Sequence, residues 1–178
     1  LYTLDALGAL QSAQVESALS DTSYGVRLHG LRIAESWMNT SAPVRRAALA
    51  LATDSDAAVR LQAAQSFGAR AEPEALDALA TIAADYGDER WMSAAIASAA
   101  ATNPGQLLEN LLQRPESTSG TLDVLPRLAT TLAAVGSGRE IDRLLMLVAT
   151  RDGESSSKVR VALLDGLAEG LKNNPSRA

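Results

Sequence analysis

Cysteine is absent from this chain of 178 residues, and histidine occurs once, at His29. The absence of cysteine excludes disulfides, thiolate catalysis, cysteine-ligated metals and covalent haem attachment within this sequence. A single histidine excludes a two-histidine metal site within one chain. His29 lies three residues after Val26, off the apolar stripe of its predicted helix. We therefore expect it on the surface or in a groove.

Aromatic residues are scarce, at 3% of the sequence, although 47% of the residues are hydrophobic. Small aliphatic side chains favour closely packed helices over a β-sandwich, whose strands prefer aromatic and β-branched residues. Positive charge is in deficit, since 16 Lys and Arg against 21 Asp and Glu give a net charge of −5. An acidic chain opposes nonspecific binding to nucleic acid or to an anionic membrane.

Long apolar runs are also missing. No stretch approaches the roughly 18 residues of a membrane helix, and no signal-peptide pattern opens the sequence. We therefore expect no direct insertion into a membrane. The sequence begins without Met, within a helical pattern of leucines that includes Leu1 and Leu4. This beginning predicts a fragment of a longer protein.

What is present is a repeat, seen most clearly between Asp54 and Gly68. A polar turn at Asp54 is followed by Val59-Arg60, and apolar residues then recur at the spacing of one helix face, with Gly68 as the predicted C-cap. The apolar residues of this face are Val59, Ala63, Ala64 and Phe67. The pattern occurs earlier with Asp21, Val26-Arg27 and Leu31, and later with Glu154, Val159-Arg160, Leu163, Leu164 and Leu167. We expect Leu31 and Leu164 to lie between helix layers, where a charge would unfold the stack.

The repeat has a period of 32 to 35 residues between its equivalent positions, which are Val26, Val59, Trp91, Val124 and Val159. Each period holds two predicted helices, and no β-rich run interrupts them. A helix pair repeated at this spacing is typical of an α-solenoid. The sequence predicts an all-α fold, a right-handed α–α superhelix of about five helix pairs that forms one segment over 1–178. The predicted units are 11–38, 41–68, 72–102, 104–135 and 137–171.

These motifs resemble HEAT repeats. A turn Asp followed by Val-Arg at the start of the second helix has this form, as does Pro near the start of the first helix at Pro43 and Pro73. Tetratricopeptide and ankyrin signatures are missing. The resemblance implies a ladder between repeats in which Arg side chains bridge turn carboxylates and carbonyls. Its members are Asp21, Arg27, Asp54, Arg60 and Arg160, and the ladder should be interrupted where Met92 and Leu125 take the Arg position.

A narrower resemblance comes from the succession LYTLDALGAL, DTSYGVRLHGLRIAE, DAAVRLQAAQSFG, DERWMSAAIAS and VALLDGLAEGL. It is similar to the HEAT-repeat region of large planctomycete-type membrane-bound dehydrogenase-like proteins. Those proteins carry a β-propeller upstream and a haem-binding c-type cytochrome domain downstream. The resemblance implies an extracytoplasmic or periplasmic location and places the redox chemistry in the flanking domains. No cofactor is expected in this segment.

Other residues that carry chemistry have simpler interpretations. Most of the carboxylates lie in turns and first helical turns, where they suit the helix dipole, and this favours capping over an acid–base pair. Large side chains at Trp37, Met38, Trp91 and Met92 are expected to fill gaps in the core. Pro126 is expected in the first turn of its helix. The sequence thus predicts neither catalytic nor metal-ligating residues.

The inner faces of the second helices remain as the candidate interaction surface. Positions three and six residues after each repeat position give a mixed, weakly charged set, whose polar members include His29, Arg32, Gln62, Gln65, Arg127 and Asp165. A nucleic-acid groove would need a continuous row of Lys and Arg there. The sequence therefore favours a non-catalytic scaffold that binds protein, either flanking domains of its parent chain or another protein. Two alternatives stay open, a tetrapyrrole-binding protein of the bilin lyase type and a nucleic-acid-binding HEAT protein.

Overall fold

The computed structural model describes residues 1–68, 70, 72–114, 118–150 and 156–173. Within these residues the secondary structure is entirely helical, with eleven α-helices, two short 3₁₀ segments and no strand. The α-helices are α1 (Tyr2–Ala6), α2 (Ser12–Leu19), α3 (Tyr24–Ala34), α4 (Ala42–Ala50), α5 (Ala57–Gly68), α6 (Pro73–Tyr86), α7 (Met92–Ala99), α8 (Pro104–Gln113), α9 (Ser119–Val135), α10 (Gly138–Ala149) and α11 (Ser156–Lys172). The predicted all-α class is confirmed, and each predicted unit contains two helices, from α2–α3 to α10–α11. Glu154 lies outside the described residues.

Local sequence explains where several helices begin. Ser41 caps α4 by accepting a hydrogen bond from the Val44 amide, and Pro43 lies in the first turn, where an amide hydrogen is not needed. Ser137 and Glu140 form a capping box at the start of α10. The backbone amide and then the hydroxyl of Ser137 hold the pKa of the Glu140 carboxyl below its usual range.

The helices pack in two rows. The even-numbered helices from α2 to α10 contact one another in chain order, and so do the odd-numbered helices from α3 to α11. The rows meet through pairs such as α2–α3, α5–α6 and α8–α9. Buried side chains form one hydrophobic cluster that extends from Leu10 to Leu167. Each helix therefore buries its apolar face against neighbours, as expected when a single short helix cannot be stable alone.

The core face predicted for α5 is confirmed, because Val59, Ala63, Ala64 and Phe67 are fully buried. Leu31 is fully buried as well. Leu164 was expected in the same layer, but this prediction is wrong, since the residue is 53% exposed. Gly166 and Gly170 are the α11 residues that pack closely on α9, and at about 100° per residue Leu164 lies well away from both around the helix.

The prediction that Trp91 fills a gap in the core is also wrong, because its side chain is 66% exposed. The helix α7 begins at Met92, one residue after the repeat position predicted at Trp91, and the fully buried Met92 takes the core position. The equivalent position of this repeat is therefore Met92. Trp37 is half-buried against the core, and Met38 is buried as predicted.

Two further corrections concern Gly68 and Pro126. Gly68 ends α5, as predicted, but as its last helical residue and without the positive φ that is common in a glycine C-cap; a Cβ there would overlap Ala99 of α7. Pro126 lies inside α9 and not in its first turn, because Thr118 caps the helix further upstream. The Pro126 carbonyl accepts a hydrogen bond from the Thr130 hydroxyl at 2.9 Å.

Candidate protein-interaction surface

The first rung of the predicted ladder is a two-point ion pair between α3 and the turn before α5. The Nε of Arg27 lies 2.7 Å from Oδ2 of Asp54, and its Nη2 lies 2.7 Å from Oδ1. A third nitrogen of Arg27 donates to the carbonyl of Asp21 at 2.9 Å. The Asp21 carboxylate itself accepts the amide of Ser23 in its own turn. Arg27 thus connects the turn that contains Asp21 to the turn that contains Asp54, because its planar guanidinium can bond both oxygens of a carboxylate.

The second rung is built by Arg60. It donates to the Asp54 carbonyl at 2.6 Å and to the carboxylate of Glu89, and its guanidinium lies 4.1 Å from the ring centre of Tyr86. Glu89 was missed by sequence reasoning. It lies three residues before Met92, whereas Asp54 lies five before Val59, so the turns of the two units have different spacing.

The ladder residues of the later units make different contacts. Leu125, which takes the Arg position of the fourth unit, is buried in the core, and Met92, which was predicted to take it in the third unit, occupies the core position instead. Arg160 donates to the carbonyls of Val148 and Ala149, at the end of α10, over 3.3 and 3.4 Å. Arg160 therefore ties α11 to the helix that precedes it in its own pair, as a cation near a helix C-terminus often does.

We expect acid to weaken the first rung. The hydrogen bond from Arg27 is the main cause that holds the pKa of the Asp54 carboxyl below its usual range. Such a group stabilises the fold above its unfolded pKa of about 4, and the contribution is lost as the pH falls through the lowered folded pKa. The substitution Asp54→Asn should cost about 2 kcal/mol at neutral pH and flatten the fall in the free energy of unfolding below pH 5.

Urea titrations of Asp54→Asn between pH 3 and pH 7 measure this effect. The matched control is Asp142→Asn, which removes the same charge from an exposed position on α10. Equal acid sensitivity of Asp54→Asn and the unsubstituted chain would contradict the prediction.

Polar side chains of the inner face link α3 to α5. Arg32 donates to the side-chain oxygen of Gln62 at 2.7 Å, the Gln62 amide contacts Ser66 at 3.2 Å, and Ser66 donates to Glu35 at 2.6 Å. Gln62 was predicted to line the groove but is only 7% exposed. Its side chain therefore belongs to the contact between the two helices, where a buried amide needs such partners.

The other predicted groove residues are dispersed. His29 is exposed and shares a 3.0 Å hydrogen bond with the Tyr2 hydroxyl. Arg127 and Asp165 are exposed on α9 and α11. Gln65 is exposed on α5, and the structure brings it into a groove with Trp91. These positions do not converge on one site.

The groove lies between α5 and α7 and has a volume of about 540 Å³. Leu61 and Gln65 line it on the α5 side, whereas Trp91, Ser98 and alanines line it on the α7 side. Small side chains on α7 leave the backbone open to close approach, and the Gln65 amide and the Ser98 hydroxyl supply hydrogen-bonding groups. The Trp91 indole therefore lies beside a shallow groove whose surface is partly polar.

Trp91 has an uncommon backbone conformation. Its φ of 70° and ψ of −12° lie in the left-handed region, which costs a non-glycine residue roughly 1 kcal/mol or more. The guanidinium of Arg90 lies 5.1 Å from the ring centre. Such strain tends to occur at functional sites. In the sequence, the indication that Trp91 lies outside the core is the adjacent pair Trp91-Met92, because only one of these two side chains takes the core position.

Among the helices that the structure describes, none combines the length and the apolarity needed to cross a bilayer. In the described residues, no three His, Asp or Glu side chains come together as a metal site would require.

Comparison of the chain with protein-family models, with curated proteins and with solved structures finds no match.

Proposed function

We propose that the chain is a non-catalytic HEAT-like scaffold segment that binds a protein domain, one that flanks it in a larger parent chain. In this proposal the two rows of helices form a right-handed superhelix of about five pairs. The chain-order contacts within each row and the Arg27–Asp54 and Arg60–Glu89 rungs support it. The redox character of the parent protein rests on the narrower sequence resemblance alone.

The observation that carries the binding role is the exposed Trp91 at the groove between α5 and α7. Tryptophan is among the residues that contribute most to protein interfaces, and an indole held out of the core is ready to enter a partner's pocket. The groove beside it receives an apolar side chain of the partner, while Gln65 and Ser98 bond its backbone. The left-handed backbone at Trp91 directs the side chain away from the core, so the ring is exposed before a partner binds.

Tryptophan fluorescence tests this role directly. The chain has two tryptophans, so Trp37→Phe leaves Trp91 as its only tryptophan, which can be excited selectively over the tyrosines. Adding the flanking domains should shift its emission to shorter wavelength and protect it from acrylamide, because binding removes the indole from water. The substitution Trp91→Ala should weaken binding about tenfold or more. Met146→Ala is the matched control, since Met146 is 72% exposed on α10, away from the groove.

The outcome also separates the alternatives. Unchanged emission and quenching with every flanking domain would refute the proposed role. A shifted absorption band on titration with haem or bilin would instead favour tetrapyrrole binding. Tight, salt-dependent retardation of DNA or RNA would favour the nucleic-acid alternative.

A further inference from the structure

Exposed apolar side chains concentrate on the last pair of helices. In the described part of the chain, α10 and α11 carry four of the ten large hydrophobic residues that are exposed, namely Leu145, Met146, Val161 and Leu164. Leu164 lies five residues after Val159, as Leu31 lies five after Val26. Leu31 is fully buried and Leu164 is 53% exposed. The position is therefore interhelical on α3, whereas on α11 it is about half open to solvent.

The exposed face of α11 continues the row of odd-numbered helices. The opposite face is packed tightly on α9, where a Cβ at Gly170 would lie 2.6 Å from the Thr130 carbonyl oxygen. At about 100° per residue, Gly170 lies roughly 180° around α11 from Val161. Val161 is 59% exposed, and an apolar groove of about 400 Å³ beside it, lined by Ala162 and by Leu122 of α9, lies where this face borders α9. The face thus prolongs an interface that α9 and α11 already use.

The charges on this face are self-complementary. Lys158 and Asp165 are both exposed and lie seven residues apart, close to two helical turns, so they share one edge of the face. Val161 lies between them along the axis, about 5 Å from Lys158 and about 6 Å from Asp165. Two antiparallel copies of α11 can be related by a twofold axis that passes near Val161. This axis brings Lys158 opposite Asp165 of the partner subunit, and it brings Asp165 opposite Lys158 of the partner subunit.

We propose that this face of α11 binds a second copy of the chain, through antiparallel pairing of α11 with α11 of the partner subunit. Val161 and Leu164 bury each other's apolar surface at the centre, and two ion pairs between Lys158 and Asp165 set the register. An interface of this kind is isologous, so each residue on one copy meets the same patch on the other. The inference does not involve the Trp91 groove, so either proposal can fail without the other.

Sedimentation equilibrium of the purified chain provides the test. We expect a mass approaching twice the 18.6 kDa of one chain, with a dissociation constant on the order of 10 μM for a small interface. The substitution Leu164→Asp should weaken dimerisation at least about tenfold, because a charge would enter the apolar centre. Met146→Asp on α10 is the matched control and should leave the mass unchanged. Circular dichroism checks that each variant stays helical.

A charge exchange tests the register. Lys158→Glu alone should weaken the dimer by repulsion from Asp165 of the partner subunit, and adding Asp165→Lys should restore it. A chain that remains monomeric up to millimolar concentration overturns the proposal. So does a dimer that survives Leu164→Asp, since its interface must lie elsewhere, and a double variant that stays as weak as Lys158→Glu overturns the antiparallel pairing.

Discussion

Replacing Gly166 by alanine is expected to lower the free energy of unfolding by about 2 kcal/mol. A Cβ on Gly166 would overlap the carbonyl oxygen of Pro126 and lie 2.8 Å from the Cβ of Ala129. These are atoms of α9, one of them in the backbone, and Thr130 also bonds the Gly166 carbonyl at 3.0 Å. The helices must therefore move apart. The higher helix propensity of alanine offsets only part of this loss.

The same substitution at Gly138 is the matched control. Gly138 lies in the first turn of α10, and a Cβ there meets nothing within 4 Å. Gly138→Ala should be neutral or slightly stabilising, by up to about 1 kcal/mol. Thermal melting should therefore place Gly166→Ala roughly 4–8 °C below the unsubstituted chain and Gly138→Ala at or above it. Equal melting temperatures for the two variants would contradict the close approach of α11 to α9.

Replacing Leu31 by aspartate is expected to abolish cooperative melting. Leu31 is fully buried in the hydrophobic cluster, and Arg27, one turn before it on α3, is already bonded to Asp54. Losses above about 4 kcal/mol are typical of an unpaired charge in a core, and they approach the whole stability of many domains. Circular dichroism and urea titration measure the loss of helix and of the cooperative transition.

The control is Leu164→Asp, because Leu164 was predicted from the sequence to share the layer of Leu31. Its exposure leads us to expect a change within about 0.5 kcal/mol. The melting experiment must use dilute protein, so that the dimer proposed above does not contribute to stability. Unfolding of both variants would show that the two positions are equally buried.

The helical class and much of the core were readable because they follow from periodicity. The stripe of Val59, Ala63, Ala64 and Phe67 includes an odd offset at Ala64, so a helix brings all four residues to one face and a strand does not. The failures at Leu164 and Gly68 have one physical origin. Periodicity shows which face of a helix is apolar, but the presence and distance of a neighbour on that face depend on other elements.

The candidate surface was predicted less well than the fold. The Arg27–Asp54 rung was expected from the resemblance to HEAT repeats, whereas Glu89 and Trp91 depend on how one turn is built. A shift of one residue at Met92 turns the tryptophan outward and places Glu89 in reach of Arg60. Such shifts arise from turn geometry, which residue spacing alone does not determine.

The turn before α5, which Arg27 and Arg60 hold in place, is expected to slow cleavage of the chain by proteases. The Asp54 carboxylate binds Arg27 and accepts the amide of Asp56 at 2.8 Å, while the Asp54 carbonyl accepts from Arg60. A protease must draw several residues into an extended strand before it can cleave them. Here that step must first break contacts to both α3 and α5, so this surface turn resists nicking although its neighbour Ser55 is exposed.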